Sequence, residues 1–139
     1  MSTDRIFVDT NIILDWLGQR DPFFGYARSI FNKGEHGEIR ILISTMSYIS
    51  VEYILRKRLG GQRTRQALAG LRTISEVCSS GPKEIDLSIA SRFSDFEDAF
   101  QYYSALNNGA EVIITRNPKD FKHSELPIMD ADQYLKMVS

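Results

Sequence analysis

Ser94-Asp95-Phe96-Glu97-Asp98-Ala99-Phe100-Gln101-Tyr102-Tyr103-Ser104-Ala105-Leu106-Asn107-Asn108-Gly109, running on into Glu111-Val112-Ile113-Ile114-Thr115, decides the fold class of this chain. Ser94 and Glu97 stand at the spacing of a capping box, so a helix is predicted to start here with Ser94 as its N-cap. Phe96, Ala99, Phe100, Tyr103 and Leu106 then recur at helical spacing and predict one buried apolar face. Asn108-Gly109 ends the helix, because glycine takes the left-handed conformation that a C-terminal cap needs. The β-branched run Val112 to Thr115 follows as a short strand. Three acids, Asp95, Glu97 and Asp98, crowd the first turn. Acids there complement the helix dipole by about 0.3–1 kcal/mol each, which explains them unless the rest of the chain brings others to the same place.

Working outward, Ile6-Phe7-Val8 reads as a strand buried on both faces that ends at Asp9. Thr10 or Asn11 is placed to cap the next helix, through Ile12, Ile13, Trp16 and Leu17. Pro22 opens another, with Phe23, Ala27, Ile30 and Phe31 as its core stripe. Ile39 to Ile43 is the second strand, and Ser44 or Thr45 caps a helix to about Arg58. Met46, Ile49, Tyr53 and Ile54 are predicted to face inward there, with Glu52 beside them. Gln62 to Ser79 reads as one helix, Ile85 to Leu87 as a short strand and Leu126 to Met129 as the last strand, before a helix capped by Asp130. Strands alternating with helices predict an α/β domain with a mostly parallel sheet. Residues 1–139 hold no repeat, linker or low-complexity tract and read as a single domain.

Composition narrows the class. The formal net charge is −1, and no apolar run approaches the ~20 residues of a membrane span. Ser2-Thr3-Asp4-Arg5 followed by a short strand is not a signal peptide. Cys78 is the single cysteine, which excludes an internal disulfide and fits a reducing cytoplasm; it is expected to be a buried small hydrophobe. Charge is uneven, with a basic block of Arg56-Lys57-Arg58, Arg63, Arg65 and Arg72 around Gly60-Gly61. Such a block is either a solvated helix end or a grip for phosphates.

In a parallel sheet, ligands bind beyond the carboxyl ends of the strands, where the strand order reverses. Asp9 closes the first strand, Thr115, Asn117 and Asp120 follow a later one, and Asp98 starts the helix that feeds it. Acids brought within ~5 Å repel by roughly 3 kcal/mol per pair at an effective dielectric near 20, so a cluster needs protonation or a cation. With all-oxygen donors, and with His36 and His123 isolated, the cation expected is Mg²⁺ or Mn²⁺. Such an ion keeps waters and suits hydrolysis of a phosphate ester.

Val8-Asp9-Thr10-Asn11-Ile12-Ile13-Leu14-Asp15, the mid-chain Glu52, Phe96-Glu97-Asp98-Ala99 and Ile114-Thr115-Arg116-Asn117-Pro118-Lys119-Asp120-Phe121 together resemble the PIN-domain nucleases, over essentially the whole chain. The resemblance implies a three-layer α/β/α sandwich around a mostly parallel sheet, and cleavage of RNA with Mg²⁺ or Mn²⁺. Many bacterial and archaeal members are toxins of toxin–antitoxin pairs, so an RNA substrate, an antitoxin protein and a homodimer are the partners implied. Carried over by position, Asp9, Glu52 and Asp98 match the family's metal-binding acids, Asn11 supports the first of them, and Thr115 precedes the final loop. Asn117 stands where a fourth acid is often found, with Asp120 as a substitute and Asp95 as an auxiliary acid. Arg56, Arg58, Arg63, Arg65 and Arg116 are the expected RNA contacts. Two other functions compete: an inactive PIN-like module that binds RNA or protein, and a phosphatase using Asp9 as nucleophile. The second wants another acid two residues on, where this chain has Asn11.

Overall fold

A computed structural model describes residues 3–139, so Met1 and Ser2, which begin the segment read as no signal peptide, lie outside the described residues. The sheet has five parallel strands: β1 (Asp4–Val8), β2 (Ile39–Ile43), β3 (Ser75–Val77), β4 (Val112–Ile114) and β5 (Ile128–Met129), in the order β3-β2-β1-β4-β5. The helices are α1 (Thr10–Leu17), α2 (Phe24–Glu35), α3 (Thr45–Leu59), α4 (Gly61–Thr73), α5 (Pro82–Ala90), α6 (Phe96–Asn107) and α7 (Ala131–Val138), with a 3-10 turn at Pro118–Phe121.

Apolar side chains on both faces of β1 explain its central position. Ile6 and Val8 join one core with α1, α2, α3 and α7, while Phe7 joins a second with Leu42, Tyr102, Ala105, Ile113 and Phe121. Two cores on opposite faces of one sheet make the three-layer α/β/α sandwich that the family resemblance implies. The chain winds outward from β1 to β3, then returns to the other side of β1 for β4 and β5. The order therefore reverses at β1, and the crevice at its carboxyl end lies against β4. No helix among the described residues is long and apolar enough to cross a membrane.

Several local expectations need correction. α6 is capped by Asp95, whose side chain accepts the Asp98 amide, and not by Ser94. Phe96, at its first position, stays 49% exposed, while Ala99 and Phe100 are buried as expected. Gly109 takes φ +78 just past the helix end, as the turn requires. α1 is capped by Asp9, ahead of Thr10 and Asn11. α2 begins at Phe24, two residues beyond Pro22. The segment 62–79 is not one helix: α4 stops at Thr73 and β3 follows as a three-residue edge strand. Ile85 to Leu87 lies in α5, whose N-terminus is set by Pro82 and by the Glu84 carboxylate accepting the Gly81 amide.

The largest correction is on α3, which carries apolar residues all round. It buries Ser47, Val51 and Leu55, one row at four-residue spacing, and leaves Ile49, Tyr53 and Ile54 exposed. Cys78 is buried beyond β3, where burial pushes its thiol up to about 12 and keeps it inert.

Thr64 in α4 is fully buried, and its hydroxyl has no hydrogen-bond partner. Thr64→Val keeps the shape and removes the unmet polar group, so the melting temperature should rise by about 2–4 °C, or roughly 1 kcal/mol. A fall on thermal denaturation would refute this.

Candidate active site

The end of β1 delivers Asp9 to the crevice in a fixed orientation. Its amide donates to the Ile114 carbonyl of β4 at 2.9 Å, so the strand pairing itself sets the position. Both carboxylate oxygens are occupied by donors. Oδ1 accepts the Thr10 amide at 2.8 Å and Gln101 Nε2 at 3.2 Å. Oδ2 accepts the Thr115 hydroxyl at 2.8 Å and Asn11 Nδ2 at 3.4 Å. Burial pushes the Asp9 carboxyl up, these hydrogen bonds pull it down, and the charge of Asp120 adds to the rise.

Asp98 comes from the first turn of α6 and faces the same cavity, of about 530 Å³. Burial and the nearby charges of Asp95, Asp9, Asp120 and Glu97 push its carboxyl up to about 7. Glu97, Asp120 and Asn117 also line the cavity, along with Asn11. Asp95 does not; its carboxylate is spent on the helix cap. Thr115 is fully buried, donates to Asp9, and accepts the Asn117 amide at 3.2 Å.

Glu52 must be corrected. It is absent from the cavity wall and lies instead on a separate groove between α3 and α4, with its Oε1 3.8 Å from Arg56 Nε. The α3 polar residue at the cavity is Ser50. Residues two apart on a helix point about 200° apart, so Ser50 and Glu52 cannot share a face.

The expected RNA contacts divide in the same way. Arg58 Nη1 donates to the Gly18 carbonyl at 2.9 Å and ties the end of α3 to the loop after α1. Arg116 is bound to Asp15, with Nε 2.8 Å from Oδ2, and stacks over Phe23 with Cζ 4.2 Å from the ring centre. Arg56 and Arg65 line the separate groove, and Arg63 is exposed on α4.

Two functional positions escaped the sequence reading. Gln101 is 2% exposed and binds Asp9, while its side-chain oxygen accepts the Ser44 hydroxyl and Nε2 donates to Ser47 Oγ at 2.8 Å. Its signal was available: it lies one turn after Asp98 on the same helix face, a polar residue among core positions. Asp15 is fully buried between Arg20 and Arg116, at 3.1 and 2.8 Å. The same loop carries the Arg116 amide, which donates to Asn11 Oδ1 at 3.2 Å, and Asn11 in turn touches Asp9 and Thr115. Asp15 thus fixes the loop that completes the acid cavity.

The donor set fits a small hard cation. Asp9, Asp98, Glu97 and Asp120 offer carboxylate oxygens, Asn117 an amide oxygen, and no thiol or imidazole lines the cavity. Among the described residues, no three His, Cys, Asp or Glu side chains already converge on one point, so an ion here would keep much of its water.

A family model described as PIN domain matches residues 5–119, from the second residue of β1 to the second residue of the 3-10 turn. Ribonuclease VapC1 of Aquifex aeolicus (strain VF5) is 23% identical over 139 residues, covering 96% of this chain and 95% of that protein. A toxin–antitoxin complex from Klebsiella pneumoniae contains a chain 26% identical, with a TM-score of 0.66, over 91% of this chain and 97% of that one. The VapBC2 structure from Rickettsia felis, bound to a promoter DNA fragment, shares the fold at 16% identity and a TM-score of 0.66, over 91% of this chain and 97% of that one. The matched span holds β1, α6, β4 and every acid around the cavity except Asp120, one residue beyond its end, and on that match the chain belongs to the PIN-domain family.

Proposed function

We propose that this chain is a Mg²⁺- or Mn²⁺-dependent endoribonuclease that hydrolyses phosphodiester bonds in single-stranded or looped RNA. The observation that carries the reading is the convergence of Asp9, from the end of β1, with Asp98, from the start of α6, on one open cavity rimmed by Glu97, Asp120 and Asn117. Repelling carboxylates gathered in a cleft suit a cation and a phosphate. Asp9 and Asp98 would hold the ion, with Asp120 or Asn117 completing the set. When bound, it supplies charge neutralisation at the phosphate and an acidified water.

The chain's own residues do the positioning. Thr115, Asn11 and Gln101 hold the Asp9 carboxylate rigid, so little reorganisation is needed on binding. Asp120 and Glu97 lie at the mouth of the cavity, where a carboxylate can take a proton from an attacking water. We further propose a toxin role, with a protein antitoxin, a homodimeric state and a cytoplasmic location. The likeness to the Aquifex ribonuclease and to a chain of the Klebsiella toxin–antitoxin complex supports that role.

Cleavage of a labelled single-stranded RNA should require added Mg²⁺ or Mn²⁺, stop with a chelator, and be abolished in Asp9→Asn with the melting profile retained. Glu52→Gln should keep its rate within about threefold, because it removes only a part-exposed i,i+4 pair outside the cavity. Unchanged cleavage in Asp9→Asn would end the proposal, leaving a PIN-like binding module.

A further inference from the structure

We propose that Tyr53, with Arg56 and Lys57 beside it, is the seat for the nucleotide next to the cleaved bond, and that this residue makes the chain prefer unpaired RNA. The inference rests on the ribonuclease reading above and names a recognition residue for it.

The cavity has two unlike walls. Asp9, Glu97, Asp98 and Asp120 form one, while α3 forms the other with Met46, Ile49, Tyr53 and Ile54. Ile49 is 72% exposed and Tyr53 52% exposed, so apolar and aromatic surface borders the acids without serving the core. An aromatic ring that is not a core residue, at the mouth of a site for a phosphate ester, has the chemistry of a base platform.

A polyanion also needs cations, because the acid wall repels it. Around this mouth Arg116 and Arg20 are bound to Asp15, and Arg58 is bound to the Gly18 carbonyl. Arg56 and Lys57 are exposed, and their heads meet the Tyr53 ring, with Cζ 5.3 Å and Nζ 4.2 Å from its centre. They occupy the third and fourth positions after Tyr53, one helical turn away on the same side. Arg56 also lines the separate groove between α3 and α4 with Glu52, Gln62, Arg65 and Gln66, so basic residues continue along α3 and α4 away from the acids.

A base stacking on Tyr53 thus takes the place of the Arg56 and Lys57 heads on the ring, which turn to the adjoining phosphate, with the carboxylate pair beyond. A duplex keeps its base faces stacked inside and cannot use Tyr53.

The test measures binding by fluorescence anisotropy in an Asp9→Asn background, with a short labelled RNA of randomised sequence, single-stranded or as a duplex, at several salt concentrations. Tyr53→Ala should weaken single-strand binding about tenfold and leave duplex binding unchanged, while Tyr53→Phe stays within about twofold. Arg56→Gln with Lys57→Gln should lower the salt slope by about 1.4, the value for two phosphates on a single strand. In the otherwise wild-type chain, Tyr53→Ala should raise KM for single-stranded RNA and leave kcat unchanged. Equal losses on single strand and duplex, an unchanged KM, or a Tyr53→Phe as damaging as Tyr53→Ala would each overturn the proposal. Cleavage that persists in wild type while KM ignores Tyr53 sinks this inference alone. A wild type that cleaves no RNA sinks the ribonuclease reading and this inference with it.

Discussion

Asp98→Asn should cut RNA roughly 10²–10³-fold more slowly than wild type and yet be the more stable protein when metal is withheld at pH 8. The opposite signs share one cause. Burial, then the charges of Asp95, Asp9, Asp120 and Glu97, push the Asp98 carboxyl up to about 7. An acid whose pKa is raised by folding binds its proton more tightly in the folded chain. That contribution is fully present below the ordinary carboxylate range and is lost as pH rises through about 7. With solvent screening of a part-exposed group, roughly 1–2 kcal/mol is at stake, or about 3–6 °C in Tm. Chelator-treated wild type should therefore melt progressively lower between pH 4 and pH 8, more steeply than Asp98→Asn. Millimolar Mn²⁺ should flatten the wild-type curve and leave the variant's alone. Parallel melting curves would show that the crowded acids do not set the apo stability.

Arg116→Ala is expected to be strongly destabilising, by about 1–3 kcal/mol, because it strips one of two cation partners from a fully buried carboxylate. Asp15 Oδ2 would be left with no cation, and only Arg20 would remain on Oδ1. Asp15→Asn should cost less, since Arg20 and Arg116 are 38% and 28% exposed and can turn toward water. The double variant Arg116→Leu with Asp15→Leu should be more stable than Arg116→Ala alone, as a double-mutant cycle by chemical denaturation would read out. Arg116 should also leave the salt slope of RNA binding unchanged, unlike Arg56 and Lys57, because its guanidinium serves Asp15 and Phe23. A reduced slope with full stability would return Arg116 to the substrate.

The legible parts of the chain were those written in local pattern. Ile6 to Val8 and Ile39 to Ile43 are continuous apolar runs, and both are strands. Asn108-Gly109 marks a real helix end. α3 defeated periodicity because two apolar rows share one helix, and only the sheet beneath decides that Val51 and Leu55 are core while Ile49 and Tyr53 are not. Glu52, assigned to the site by its match to the family pattern, lies two residues from Ser50, which lines the cavity in its place. β3 is three residues of mixed polarity, held by pairing with β2, and nothing in Ser75-Glu76-Val77 announces a strand. The acids Asp9 and Asp98 were visible as residues, but what orients them was not. Asp15 reads as one more polar residue in a short helix until a partner 101 positions away closes on it.

The placement of β1 at the centre of the sheet also orders events in time. Asp9 is made well before Ile114 and Thr115, on which its orientation depends, because Thr115 lies 106 positions further along the chain. A growing chain therefore carries half of the acid cavity until β4 docks, and the cavity is completed only after that strand has been made.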